Sequence, residues 1–298
     1  MKNFSVISFL VFSLACSFSS ASDKTTLESV PALNNPASEL KIPGKFIFAD
    51  YFTSDITAAK AFYGNVFGWQ WRWITADQSY GMFYQGDVAI AGVALRESST
   101  PNTAYGRWIH YLSTGDVAAK VAAVSKAGGR VLLEPQTLPD RGILAVVADA
   151  DGAPFGLLNS SSGDPADYRS EVGEWLWVSL FSNDVKKAAH FYQNLLGYEV
   201  IDAEDTDNEL DVILSKNGYA RAGIGQLPES SESHPSWLGY IYVDNVTAYL
   251  TKAVAQGAEV LVPPNAALMD GKMAVIADPL GAPIALINWS FGDKEQAQ

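Results

Sequence analysis

The chain contains a long internal repeat, and this repeat constrains its fold more than any other feature. Residues 46–159 align with residues 175–288, so that "FYGNVFGW" at 62–69 becomes "FYQNLLGY" at 191–198. Further along, "LAVVADADGAP" becomes "MAVIADPLGAP" at the same offset, and a short slip near Ala91 is tolerated between them. Two copies this long and this collinear indicate a duplicated domain, so both halves are expected to take one fold.

Each copy has the pattern of a strand, a helix and further strands, given twice. The segments "KFIFADYF" and "EWLWVSLF" are rich in the aromatic and β-branched residues that favour strands. A helix follows each of them, capped by Asp55 or Ser54 in the first copy and by Asp184 or Asn183 in the second. We therefore predict an α+β fold with curled sheets, each covered by helices on one face. The concave face that remains is where a functional site is expected.

The composition excludes some partners. The chain of 298 residues has a formal charge of −13 and a pI near 4.6. Because binding to a nucleic-acid backbone requires a basic surface, no nucleic-acid partner is predicted. The apolar content of 48% is that of a globular protein rather than of a disordered one.

The N-terminus predicts export. In residues 1–22 a single charged residue, Lys2, precedes an uncharged stretch that is too short to span a membrane, which is typical of a secretory signal peptide. We expect a periplasmic or secreted protein with no stable membrane insertion after the signal is removed. Cys16 follows "SLA", a loose match to a lipoprotein processing site, so a form that is lipid-anchored through Cys16 stays open. The polar, proline-containing residues 23–43 predict a flexible linker.

The repeated motifs resemble those of a known superfamily. "SDITAAKAFYGNVFGW", followed by a strand-rich stretch and by "VVADADGAPFGLLN", is similar to the vicinal oxygen chelate (VOC) superfamily. This superfamily includes glyoxalase I, bleomycin- and fosfomycin-resistance proteins and extradiol dioxygenases. The resemblance implies two tandem glyoxalase-like domains of paired βαβββ modules, each with a curled mixed sheet around a site. The implied limits are 44–160 and 173–292 for the domains, 161–172 for the linker between them and 293–298 for a tail.

The resemblance also implies where a metal would be bound. Members that catalyse reactions usually hold a divalent metal through His and Glu side chains on the concave face. The corresponding positions here carry residues without a ligating group: Phe48, Gly92 and Gly156 in the first copy, and Trp177, Gly223 and Ala285 in the second. We therefore expect no metal or other cofactor, and metal-dependent glyoxalase or dioxygenase chemistry is disfavoured. Whether the protein is an enzyme stays open.

His110 is the residue that could change this expectation. The repeat pairs His110 with Gly239, and it places Ile109 in the register expected of a ligand. Since a shift of one residue moves a strand side chain to the other face, the register decides its role. We expect His110 to face the helices as a hydrogen-bonded structural histidine. The alternative is a metal-dependent lyase or dioxygenase that uses His110.

Strand alternation predicts which side chains line the concave face. The set is aromatic with few polar groups, which is typical of a site for a flat or partly apolar small organic molecule. The predicted ligand-binding residues are Phe48, Asp50, Tyr111, Trp177, Ser179, Tyr240 and Tyr242.

Asp50 is the polar residue of greatest interest in this set. Isolated burial of a carboxylate is costly, so Asp50 is expected either to serve a ligand or to be compensated in another way. It could orient a ligand hydroxyl or amine, or act as a base with a raised pKa. Otherwise it is paired with an arginine such as Arg72 or Arg107, or is simply hydrated. A further alternative removes the ligand altogether. If the two copies pack by their concave faces, the aromatic residues form an interdomain core and the protein is a non-catalytic structural or interaction pair.

Overall fold

The computed structural model describes residues 30–96, 103–203, 211–227, 234–266 and 268–290. The predicted α+β fold of two tandem domains is confirmed. The elements of the first domain are β1 (Phe46–Thr53), α1 (Ile56–Phe67), β2 (Gln70–Trp73), β3 (Tyr80–Gln85), β4 (Val88–Leu95), β5 (Gly106–Ser113), α2 (Val117–Lys126), β6 (Arg130–Leu138), β7 (Gly142–Ala148) and β8 (Pro154–Ser160). Those of the second are β9 (Trp175–Ser182), α3 (Val185–Leu196), β10 (Glu199–Asp202), β11 (Val212–Lys216), β12 (Tyr219–Gln226), β13 (Ser236–Tyr242), α4 (Val246–Ala255), β14 (Glu259–Val262), β15 (Met273–Ala277) and β16 (Pro283–Ile287).

Each domain contains one mixed sheet of eight strands. The order is β2-β3-β4-β1-β5-β8-β7-β6 in the first domain and β10-β11-β12-β9-β13-β16-β15-β14 in the second. The two central strands, β1 and β5 or β9 and β13, are antiparallel, and each is parallel to its outer neighbour. Each half of a sheet is therefore one βαβββ module, and the duplication repeats the same pair of modules.

Aspartates begin the first helix of each domain. The Asp55 carboxylate accepts a hydrogen bond from the amide of Ala58 at 2.9 Å, and Asp184 accepts one from Lys187 at 3.0 Å. These bonds satisfy amides that have no partner within the helix, which is why a short acidic side chain is favoured there. The sequence offered Ser54 or Asp55 and Asn183 or Asp184 as caps, and Asp55 and Asp184 are the residues that cap the helices.

The helices of both domains lie between the two sheets. α1 packs against α4 and against the convex side of the second sheet, while α2 packs against α3. The apolar clusters on the concave faces contain residues of one domain only. The alternative in which the concave faces pack together is therefore wrong, because the wide apolar stripes of the helices are buried between the sheets instead. Each domain keeps its own concave face, and the two faces point in opposite directions.

Buried polar bonds connect the two domains and explain both repeated motifs. Tyr63 of the first "FY" pair donates its hydroxyl hydrogen to Asp278 Oδ2 at 2.7 Å, and Trp108 Nε1 donates to Tyr63 Oη at 3.0 Å. The second copy repeats the arrangement toward the first domain. Its members are Tyr192, Asp149 and Trp237, with both bonds at 3.0 Å. The aspartate of each "AD..GAP" turn is thus the acceptor for the tyrosine of the opposite domain.

Residues 30–43, here called the N-terminal strap, pack on the first domain. Val30 is 2% exposed and belongs to the apolar cluster of the concave face. The Ser38 amide donates to the Ser162 carbonyl at 2.7 Å, and the Ile42 amide donates to Asp164 Oδ2 at 2.5 Å. In this part of the predicted linker, apolar burial and hydrogen bonds hold the chain against the first domain. The predicted signal peptide at 1–22, residues 23–29 of the predicted linker and the predicted tail at 293–298 lie outside the described residues.

No helix in the described ranges is long and apolar enough to cross a membrane.

Candidate functional site

The predicted ligand-binding residues belong to two separate concave surfaces. Phe48, Asp50 and Tyr111 lie on the sheet of the first domain, in the surface that we call the first cup. The other four, Trp177, Ser179, Tyr240 and Tyr242, lie on the sheet of the second domain, in the second cup. Because each set lies on the sheet face opposite to the one that packs against the other domain, no molecule can contact both sets at once. The single aromatic set inferred from alternation is therefore divided in two.

The first cup encloses a cavity of about 60 Å3. Its walls come from β1, β3, β5, β6, β7 and β8, from the β6–β7 connection and from the strap. The lining residues are Val30, Phe48, Asp50, Tyr80, Tyr111, Leu138, Arg141, Leu144 and Leu158. The cavity is thus an apolar chamber into which one carboxyl group, one guanidinium and two phenols project.

Asp50 lies at the centre of this group. It is 7% exposed, and Tyr80 donates its hydroxyl hydrogen to Asp50 Oδ1 at 2.9 Å. Burial raises the pKa of Asp50, while the Arg141 charge and hydrogen bonds from Tyr80 and Tyr111 act in the opposite direction without cancelling it. Burial and the adjacent Asp50 raise the pKa values of both tyrosines well above their usual value, so they remain neutral donors. A carboxyl group in this setting can hold or release a proton next to a bound molecule.

Arg141 is the cation that accompanies Asp50. It is 2% exposed, its Nε donates to the Pro31 carbonyl at 2.7 Å, and its guanidinium lies 4.0 Å from the centroid of the Phe48 ring. The ring and the carbonyl together compensate part of the cost of burying the charge. Arg141 therefore connects the strap to the wall of the cavity.

The arginines proposed as partners of Asp50 are not the ones found. Arg72 is at a sheet edge, where it donates to the Gly86 carbonyl at 3.2 Å and stacks on Tyr84, and Arg107 is exposed. That pairing is wrong because both side chains lie outside the enclosed part of the cup. Tyr80 could have been found from sequence, since the alternation of "YGMFYQ" places it on the concave face. Arg141 is in a turn without periodicity, and no signal marks it.

The second cup has different chemistry. Trp177 Nε1 donates to Ser179 Oγ at 3.0 Å, and Trp177 and Tyr242 are half-buried. Ser179 occupies the place of Asp50 in the repeat, and Asp270 occupies the place of Arg141. The buried acid, the buried cation and the covering strap that mark the first cup have no counterpart among the described residues here. The second cup is an apolar surface whose buried cluster includes Leu238, Tyr240 and Leu268, without the charged pair of the first cup among its described residues.

The side chains of the first cup do not fit a divalent metal. A Cβ at Gly92 would overlap Tyr80 Oη and Asp50 Oδ1, and one at Gly156 would overlap the Tyr111 ring. The two tyrosines fill the space that ligating carboxylates would need. No group of three His, Cys, Asp or Glu side chains comes together in the described part of the chain. Asp50 alone does not complete a divalent site, which takes three or more ligands.

His110 faces the helix layer, as predicted, and points away from the cup. Its ring packs edge-on to Phe46 and Trp175, with centroids 5.5 and 5.6 Å away. It is 1% exposed, and burial lowers its pKa to about 3. The prediction that it is hydrogen-bonded is wrong, because neither ring nitrogen has a partner. From this position His110 cannot bind a metal on the concave face, as the metal-enzyme alternative required.

Comparisons with known proteins agree with this architecture. CFP32 of Mycobacterium tuberculosis, a candidate glyoxylase by its name, is 28% identical over 238 residues, which cover 79% of this chain and 91% of CFP32. The anthracycline biosynthesis protein DnrV of Streptomyces peucetius is 27% identical over 264 residues, which cover 84% of this chain and 95% of DnrV.

Two solved structures share the fold at low sequence identity. The Mn(II)-bound glyoxalase from Novosphingobium aromaticivorans aligns with a TM-score of 0.56 and 19% identity, covering 84% of this chain and 83% of its own. The 2,3-dioxygenase LapB from Pseudomonas sp. KL28 aligns with a TM-score of 0.56 and 12% identity, covering 84% of this chain and 94% of its own. The model of one family matches residues 45–157 and again residues 175–286. This chain therefore belongs to the Glyoxalase/Bleomycin resistance protein/Dioxygenase superfamily.

Proposed function

We propose that the protein binds a small organic molecule in the first cup, through hydrogen bonds and without a divalent metal. The observation that carries this proposal is the enclosed cavity in which Asp50, Tyr80, Tyr111 and Arg141 converge within apolar walls. A concave apolar cavity with a few convergent polar groups and a perturbed carboxyl is the usual form of a small-molecule site. The same surface is where members of this superfamily that use a metal are expected to hold it.

The chemistry of the walls defines the ligand. Asp50 accepts from a hydroxyl or amine of the ligand, and Arg141 donates to a carbonyl or a carboxylate. The Phe48 face and the leucine side chains suit a flat or partly apolar body. The relative named for anthracycline biosynthesis is consistent with a protein that handles an organic compound.

The size of the cavity adds a condition on binding. A volume of about 60 Å3 holds only a few water molecules, since a water needs about 10–15 Å3 measured in this way. A ring-sized molecule therefore takes the place of Val30, and the strap moves when it binds. Affinity is then reduced by the free energy needed to displace the strap.

A fragment screen on the mature protein tests the proposal. Hits found by thermal shift in the presence of chelator are titrated against wild type, Asp50→Asn and Tyr80→Phe. Asp50→Asn replaces one acceptor oxygen by an amide donor and removes the charge, while Tyr80→Phe deletes the hydroxyl, and both keep the side-chain shape. We therefore expect affinity to fall about tenfold or more. Ser179→Ala changes the equivalent position of the second cup and is the matched control, which should bind as wild type does.

Three results would contradict the proposal. They are the absence of any saturable hit, equal binding by Asp50→Asn and wild type, and binding that appears only when a divalent metal is added. Val30→Ala tests the role of the strap. Because the smaller side chain leaves more room in the cavity, this variant should bind the same hit about two- to tenfold more tightly. Weaker binding by this variant would exclude displacement of the strap.

The export of the chain is part of the proposal. Its support is the sequence of residues 1–22, with one lysine before an apolar stretch and small residues. The intact mass of the mature protein from its native host would show cleavage near Ala21. A mass increase that corresponds to a lipid at Cys16, lost in Cys16→Ala together with membrane association, would favour the anchored form. An uncleaved N-terminus would refute export by this signal.

A further inference from the structure

We propose that the groove between α2 and α3 is a second binding site, for a small apolar molecule that carries a carboxylate. This groove has a volume of about 250 Å3 and lies where the helix layers of the two domains meet. It is on neither cup, so it is independent of the function proposed above. Sites for small molecules occur preferentially at such domain interfaces.

One half of the groove is apolar. Ala123 and Ala127 present methyl groups from α2, and Ala150 adds a third from the turn after β7. The ring of Phe191, which is largely buried, forms the floor. Small side chains opposite an aromatic ring leave room for the ring or the alkyl chain of a ligand.

The other half is polar and comes from α3. Lys187, His190 and Asn194 are spaced by three and four residues, so they lie along one side of the helix. The Lys187 ammonium is 3.7 Å from Asp151 Oδ1, and Asp151 Oδ2 also accepts a hydrogen bond from the Ser182 hydroxyl at 2.9 Å. With one distant contact used, the ammonium keeps donors for a ligand carboxylate. The groove thus presents a cation and polar side chains beside an apolar floor.

The repeat supplies an internal comparison. In the equivalent space between α1 and α4, the three alanines are replaced by Lys252, Gln256 and Pro279. There the Asn65 side-chain amide donates to Gln256 Oε1 at 2.7 Å, which connects the two helices. In the first pair of helices, α1 and α4, longer side chains therefore occupy the space that corresponds to the groove.

The exchange runs the other way on the facing helix, where Lys187 and His190 of α3 correspond to Ala58 and Ala61 of α1. A hydrogen bond also connects α2 to α3, from Lys120 Nζ to the Leu195 carbonyl. The α2–α3 pair thus differs in having its methyl groups on α2 and its long polar side chains on α3.

The proposal is tested with 4-phenylbutyrate as the probe and with 4-phenylbutan-1-ol as its uncharged analogue. Both are titrated into 15N-labelled mature protein while amide shifts are followed by NMR. We expect saturable shifts at α2 and α3, and about tenfold or more loss of affinity in Ala123→Leu, which fills the groove at an exposed helix position. Lys187→Met and the alcohol should each lose about two- to fivefold, as expected for an exposed ionic contact.

Ala122→Leu is the matched control. It makes the same change on the same helix at an exposed residue that does not line the groove, so binding should be unchanged. Asp50→Asn should also leave this binding intact, which separates the groove from the first cup. The proposal is overturned by the absence of saturable shifts at the groove, by unchanged binding in Ala123→Leu, or by equal loss in Ala122→Leu. Equal binding of the acid and the alcohol would overturn the carboxylate contact.

Discussion

Acid should destabilise this protein through His110. The imidazole is buried against Phe46 and Trp175 with no partner for either nitrogen, and burial is the cause that lowers its pKa from 6.5 to about 3. Below pH 6.5 the unfolded chain binds a proton at His110 that the folded protein does not bind. The free energy of unfolding therefore falls as the pH falls from 6.5 toward 3, and this contribution is fully present above pH 6.5.

The size of the pH effect on the free energy of unfolding follows from the proton that folded His110 does not bind. Each pH unit in this window removes up to about 1.4 kcal/mol, so moving from pH 6.5 to 4.5 costs about 2–3 kcal/mol. Buried carboxyls with raised pKa values, such as Asp149 and Asp278, act in the opposite direction over part of this range. The contribution of His110 must therefore be measured as a difference between two proteins that share those carboxyls.

His110→Leu provides that difference. Leucine has a similar size, does not titrate and removes two buried nitrogen atoms that lack hydrogen bonds, so stability at pH 7 should be equal or higher. Urea unfolding followed by tryptophan fluorescence, at pH 7.0 and at 4.5, gives the free energy for each protein. We expect wild type to lose about 2–3 kcal/mol more than the variant between these pH values. Equal losses would refute a neutral, unpartnered His110 in the folded protein.

Two further changes test how the domains are joined. Gly239→Ala places a methyl group 2.5 Å from His110 Nε2 and from Trp175 Cζ3, so we expect about 1–3 kcal/mol of destabilisation, partly relieved when His110→Ala is added. A purely additive double variant in urea unfolding would contradict that contact. Asp278 accepts hydrogen bonds from two tyrosines of the other domain and Asp149 from one, so Asp278→Asn should cost about 1 kcal/mol more than Asp149→Asn. Equal midpoints for these two variants would argue against the interdomain bonds.

Local signals in the sequence were sufficient for the architecture of each domain. The capping role of Asp55 and the strand alternation that placed Asp50 and Tyr111 on the concave face depend only on neighbouring residues. The duplication could be read directly from the repeat. What the repeat could not show is which faces of the two domains pack together. The Tyr63–Asp278 bond joins residues that are far apart in the chain, and no periodicity connects them.

Two residues of the first cup, Arg141 and Val30, were not predicted from the sequence, and tertiary contacts again explain why. Arg141 enters from a turn, and Val30 enters from a segment whose polar, proline-containing composition suggested a linker. Neither residue belongs to a periodic element, so its position follows from tertiary contacts alone. His110 was predicted only in part. Its face followed from the register, while its lack of hydrogen bonds depends on Trp175 and Gly239 of the other domain.

Elemental analysis of the purified protein is the most direct test of a first cup that binds through hydrogen bonds instead of a metal. The protein would be purified without chelator and without a histidine tag, incubated with zinc, nickel, manganese or ferrous ions, desalted and analysed. Because Asp50 is accompanied by phenols and a guanidinium, we expect metal far below one ion per chain. About one tightly held ion per chain, lost in Asp50→Asn, would contradict this and make the first cup a metal centre.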